Sequence, residues 1–117
     1  MNLSKILWQT VLLSTIGFTS TAEAKPDRIF GSYKSNGYTI DIDRGVYYGC
    51  DPRNRCVKIP RNKSRYDGKM KEWRNAGYVY RVTPVGDKLI NGHNTRILLK
   101  IINPQQKVIS KRIFRSQ

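Results

Sequence analysis

From residue 37 onward, apolar and polar side chains alternate with a period of two. Tyr38, Ile40 and Ile42 fall on one side of the chain, and Thr39, Asp41 and Asp43 on the other. That is the pattern of a strand with one face buried and one wet. Tyr78, Tyr80 and Val82 alternate in the same way with Val79, Arg81 and Thr83. In residues 95–102, Ile97, Leu99 and Ile101 share a face. Residues 107–114 return with either Val108 and Phe114 or Ile109 and Ile113 to meet them, according to register. Residues 28–33, 46–50 and 56–59 add three more strands, and 72–73 reads as a short strand or loop anchor. Turn chemistry separates these segments: Asp43-Arg44-Gly45 (with Gly45 at positive φ), Asn75-Ala76-Gly77, Asn91-Gly92, and a type I turn at Asn103-Pro104-Gln105-Gln106. Between 60 and 71 the pattern dissolves into polar residues, which predicts one long loop. No segment carries the helical period. The expectation is an all-β fold, a small antiparallel barrel or sandwich of about seven short strands.

The first 24 residues break the pattern. Lys5 precedes 13 uncharged, largely apolar residues (6–18), and small residues follow, ending in Ala22-Glu23-Ala24. This order is that of a cleavable signal peptide, and the apolar run is well short of the ~20 residues that span a bilayer. The reading is a signal peptide over 1–24 and one small basic β domain over 25–117, exported to the periplasm or the exterior. Setting 1–24 aside exposes the character of the remainder: sixteen Ile and Val against three Leu and one Ala, with all seven Tyr. Sheets favour that balance and helices do not. The excision removes one base and one acid, so the formal charge stays at +14. A domain this small is marginal on burial alone and commonly carries a staple.

The two cysteines supply it. In an exported chain Cys50 and Cys56 read as a disulfide, which would present the loop Asp51-Pro52-Arg53-Asn54-Arg55 with its two arginines at a rigid tip. Their spacing is wrong for a redox C-x-x-C pair, and one histidine is too few to complete a zinc site. Asp41-x-Asp43-x-Gly45 faintly resembles a calcium loop, but its glycine is one residue early and a hairpin turn accounts for it. Nothing points to a metal or a cofactor.

Charge then changes the functional picture. Lys58, Arg61, Lys63, Arg65, Lys69, Lys71 and Arg74 crowd residues 58–74, interleaved with Tyr66 and Trp73 and opposed only by Asp67 and Glu72. Cations release counterions from a polyanion and aromatic rings stack on bases or sugars. This cluster, with Arg53 and Arg55, is the candidate binding site. Catalytic signatures are sparse. His93 is the only histidine; paired with Glu72 it could serve a small ribonuclease-like hydrolase as acid and base.

The runs Tyr47-Tyr48-Gly49-Cys50-Asp51 to Arg55-Cys56-Val57, Trp73 with Gly77-Tyr78-x-Tyr80, and Ile101-Ile102-Asn103-Pro104 to Val108-Ile109 resemble small secreted proteins of unknown function from cyanobacteria. The resemblance implies a periplasmic or extracellular bacterial protein and transfers no activity, substrate or catalytic residue. The leading expectation is a non-enzymatic binding module. Its basic surface would contact an anionic polysaccharide, an anionic lipid surface, extracellular nucleic acid or an acidic protein. The alternatives are the hydrolase and an inhibitor or accessory subunit of another exported protein.

Overall fold

The computed structural model describes residues 25–117; the signal-peptide reading of 1–24 lies outside the described residues. The chain is all-β. Its strands are β1 (Gly31–Ser35), β2 (Tyr38–Asp43), β3 (Val46–Cys50), β4 (Cys56–Ile59), β5 (Ser64–Tyr66), β6 (Lys71–Asn75), β7 (Tyr78–Pro84), β8 (Leu89–Ile90), β9 (His93–Asn94), β10 (Arg96–Ile102) and β11 (Val108–Ser116). Nine form one antiparallel sheet in the order β4-β3-β2-β1-β11-β10-β7-β6-β5, and β8 and β9 pair separately. The sheet curls into a half-barrel, with β4 and β5 as its free edges. Among the described residues no helix is long and apolar enough to cross a membrane.

Among the described residues eleven strands replace the about seven expected; β6 stands where the sequence reads as a short strand or loop anchor. Those missed, β5, β8 and β9, are two or three residues long, too short to show a period. The loop expected between 60 and 71 contains a 3-10 turn at Arg61–Lys63 and then β5. The backbone N–H groups of Lys69 and Met70, each 2.9 Å from Asp67 Oδ1, hold the turn into β6. The first strand begins three residues later than expected. Ile29 instead plugs the core, and its N–H donates to Asp27 Oδ1 at 2.9 Å.

The longer segments fold as their alternation predicts. Tyr33, Ile40, Ile42, Tyr47, Ile59, Val82, Ile97 and Phe114 line the concave face and form the core. Trp73 joins them at zero exposure, its Nε1–H donating to Gly45 O at 2.8 Å across the half-barrel. The hairpin turns suit the twist of their strands: Arg44 (φ 51) and Gly45 (φ 81), like Ala76 (φ 53) and Gly77 (φ 84), both take the left-handed region that a two-residue type I′ turn demands.

Register in the β10–β11 hairpin resolves the choice the sequence left open. Phe114 opposes Ile97, and a bulge between Ile101 and Ile102 shifts the ladder so that Val108 opposes Ile102. Phe114 therefore faces the core, while Val108 lies on the opposite face of the sheet, with Ile102.

Candidate functional site

Residues directly opposite on neighbouring strands share a face, so the register assigns each cation of the paired strands to a side. On the convex face, Arg81 of β7 opposes Lys100 of β10, which opposes Lys111 of β11. On the same face Arg96 of β10 opposes Arg115 of β11, which opposes Lys34 of β1. These are two rows of three like charges with strands ~4.8 Å apart, and the rows lie roughly 13 Å from each other along β10 and β11. Leu98 and Ile113, themselves paired, lie between the rows. Like charges directly opposite one another destabilise a sheet, and of these six only Arg81 has an acid, Glu72, as an ion-pair partner among the described residues.

The first row continues to one acid. Glu72 of β6 opposes Arg81 on one side and Arg65 of β5 on the other. Its carboxylate accepts from Arg81 Nε at 2.6 Å and Arg65 Nη2 at 3.4 Å, with Arg74 Nη2 at 3.6 Å. Burial alone would raise the Glu72 carboxyl. The hydrogen bond and charge of Arg81, and then those of Arg65, outweigh burial and hold it below the usual carboxylate range. The opposite wing of the face is acidic: Asp41 and Asp43 lie on β2, and Ser32 Oγ donates to Asp41 at 2.9 Å.

The residues picked from the sequence scatter over this frame. Arg65 and Arg74 extend the convex cationic surface around Glu72. Lys58 of β4 opposes Tyr48 of β3, beside the acidic wing. Arg61 and Lys63 sit in the 3-10 turn, where the Arg61 stem lies against Gly45. Lys69 is exposed in the turn before β6.

The Cys50–Cys56 disulfide forms and closes the β3–β4 loop. Inside it, Asp51 accepts from the backbone of Arg53 and Arg55 at 2.9 Å each and from Arg55 Nε at 2.7 Å. The Arg55 backbone bond foremost, with the Arg55 side chain and the Arg53 backbone, holds the Asp51 carboxyl below its ordinary value. Arg55 is thus tied back to its own loop, and only Arg53 projects freely.

Three of the picked residues are elsewhere. Trp73 is a core residue and offers no stacking surface. Lys71 is buried on the concave side, in an ion pair with Asp27. Tyr66 is half-buried, its hydroxyl donating to Pro26 O at 2.9 Å. Conversely, Lys34, Arg81, Arg96, Lys100, Lys111 and Arg115 lie outside the basic cluster of residues 58–74. Their signal was the polar half of each strand's alternation, and only strand pairing joins it.

His93 and Glu72 do not meet. The His93 ring packs on Gly31 and edge-on to Phe30 (5.2 Å between centroids), with Nδ1 3.0 Å from Asn94 O, whereas the Glu72 carboxylate is enclosed by arginines. Among the described residues no group of three or more His, Cys, Asp or Glu side chains is placed to hold a metal. No family model, curated protein or solved structure matches this chain.

Proposed function

We propose that this protein is an exported, non-enzymatic binding module whose convex face holds an acidic polysaccharide. The carrying observation is the pair of cationic rows, Arg81–Lys100–Lys111 and Arg96–Arg115–Lys34, in which like charges oppose one another across adjacent strands. An anionic chain laid across the strands relieves that repulsion and releases counterions. Polysaccharide is favoured over nucleic acid because the rows flank the aliphatic side chains of Leu98 and Ile113. Trp73 and Tyr66, the aromatics of the basic cluster, are buried or pinned, so bases have no ring there to stack on.

The test is a salt titration of binding to heparin, with duplex DNA and anionic lipid vesicles run in parallel. Five or six contacts predict a log–log salt slope of about −4 to −5. Lys100→Gln with Lys111→Gln should flatten the slope by about two and raise the melting temperature of the free protein by removing a repulsive pair. Release at or below ~0.15 M salt, or an unchanged slope in the double variant, overturns the proposal. Tighter binding to vesicles or DNA than to heparin at equal salt reassigns the face to that partner.

A further inference from the structure

The concave face of the same sheet carries a second, independent feature. Its core is packed around Trp73, Ile29 and Ile42, but toward the disulfide end the half-barrel holds a cavity of about 290 Å³, walled in part by Tyr38, Tyr47, Val57, Tyr80, Ile101 and Phe114. That is the lower end of the range for small-molecule sites, roughly 300–1,000 Å³.

Gly49 shows that the space is built in. Every other glycine of the described residues has a positive φ, which explains its choice; Gly49 does not. It sits mid-strand, opposite Ile40 and Val57, where glycine weakens a sheet and marks close approach by another group. A Cβ there would lie 2.5 Å from Tyr47 Oη and 2.9 Å from its ring. Glycine therefore lets the Tyr47 ring lie back along its own strand at the cavity wall.

The Tyr47 hydroxyl is the second observation. Tyr47 is 3% exposed, and its hydroxyl has no hydrogen-bond partner among the described residues. Buried polar groups are overwhelmingly paired. The polar ends of Tyr33, Tyr66 and Trp73 all follow that rule here. Burial, and then the neighbouring Tyr80, push the Tyr47 phenol upward, so it remains a donor at neutral pH.

Arg112 is the third. It lies on the concave side of β11, opposite Leu99, and its guanidinium stacks 4.1 Å from the centroid of the Tyr38 ring. It takes part in none of the ion pairs among the described residues. A guanidinium stacked on a ring at the side of an apolar cavity presents its donor fork to a planar anion.

We propose that this cavity binds a small aromatic carboxylate. The ring is held among Tyr38, Tyr80 and Phe114, the carboxylate by Arg112, and a hydrogen-bond acceptor on the ring by the Tyr47 hydroxyl. The probes are 6-hydroxy-2-naphthoate, 2-naphthoate and the neutral 2-naphthamide. They are titrated into the purified protein by calorimetry at ~0.5 M salt, where exposed charges are largely screened. Saturable 1:1 binding of 6-hydroxy-2-naphthoate is expected, with Arg112→Gln or the amide probe each costing about tenfold in affinity. Arg112→Lys keeps the charge without the fork and should lose less.

Tyr47→Phe should weaken 6-hydroxy-2-naphthoate by roughly threefold to tenfold and leave 2-naphthoate unchanged. The free protein should be no less stable, because the substitution removes a buried hydroxyl that has no partner to lose. Gly49→Ala, which pushes the Tyr47 ring into the cavity, should weaken all three probes. Absence of saturable binding, or equal affinity in the parent and a folded Arg112→Gln variant, overturns the assignment. The convex-face proposal is unaffected by either outcome.

Discussion

Trp73 joins the two wings of the half-barrel, so removing its N–H should measure what that junction contributes. In Trp73→Phe the Gly45 carbonyl, buried at the β2–β3 turn, loses its donor. Leaving such a group unpaired costs about 1–3 kcal/mol. The smaller ring also leaves roughly 30–40 Å³ unfilled, which adds just under about 1 kcal/mol at ~24 cal/mol per Å³. Contact with Tyr47, whose ring centroid lies 5.3 Å away, survives in part. The expected loss is about 2–4 kcal/mol, a large share of the ~5–15 kcal/mol typical of a domain, with a melting temperature lower by roughly 10–25 °C. Urea titration followed by far-UV circular dichroism reads it, with an unchanged m-value as the sign that only the native state has been weakened. A benzothienylalanine at position 73 keeps the shape and deletes only the N–H, so it should lose about 1–3 kcal/mol by itself. A benzothienyl protein within ~0.5 kcal/mol of the parent would refute the reasoning, because the hydrogen bond would then contribute no more than a typical surface substitution changes.

Three further changes bear on other parts of the fold. Ala76 holds a φ of 53° in a type I′ turn, so Ala76→Asn should stabilise the protein by about 0.5–1 kcal/mol in the same urea assay. The depressed Glu72 carboxyl stabilises the fold above its unfolded pKa of about 4.3, and that contribution is lost as pH falls through the lower folded value. Glu72→Gln should therefore flatten the acid limb of a stability–pH profile, though not abolish it, because Asp51 and Asp67 are also held low. Cys50→Ser with Cys56→Ser should cost about 2 kcal/mol by loop entropy. It should also weaken naphthoate binding, since both cysteines line the cavity.

Much of this fold is legible along the chain because each long strand carries its own alternation. β3 and β4 begin and end where the apolar runs do, and the Arg44-Gly45 and Asn91-Gly92 turns announce themselves. The bulge in β11 is invisible, since the choice between Ser110 and Ile109 opposite Ile101 depends on how the hairpin twists. The proposed binding surface is harder to read for a physical reason: density of charge along a strand is not density on a face. Alternation sends Lys71 inward and Arg74 outward, so the crowded stretch 58–74 disperses when it folds. Arg81, Lys100 and Lys111 converge only because β10 pairs with both β7 and β11. Trp73, set in a basic run, gives no local sign that it belongs to the core.

The same alternation allows the two proposed sites to be separated with unusual economy. Lys111 and Arg112 are adjacent on β11, yet Lys111 opposes Lys100 on the convex face while Arg112 opposes Leu99 and stacks on Tyr38 on the concave one. Lys111→Gln and Arg112→Gln remove the same charge from the same strand, so a mechanism that depended only on the overall +14 would respond equally to both. Site-specific binding predicts a crossed result. Lys111→Gln should reduce the heparin salt slope by about one and leave naphthoate affinity at high salt untouched. Arg112→Gln should do the reverse. Equal effects of both on heparin would return the basic character to diffuse steering, whereas the crossed pattern requires that each face of one strand recognise a different anion.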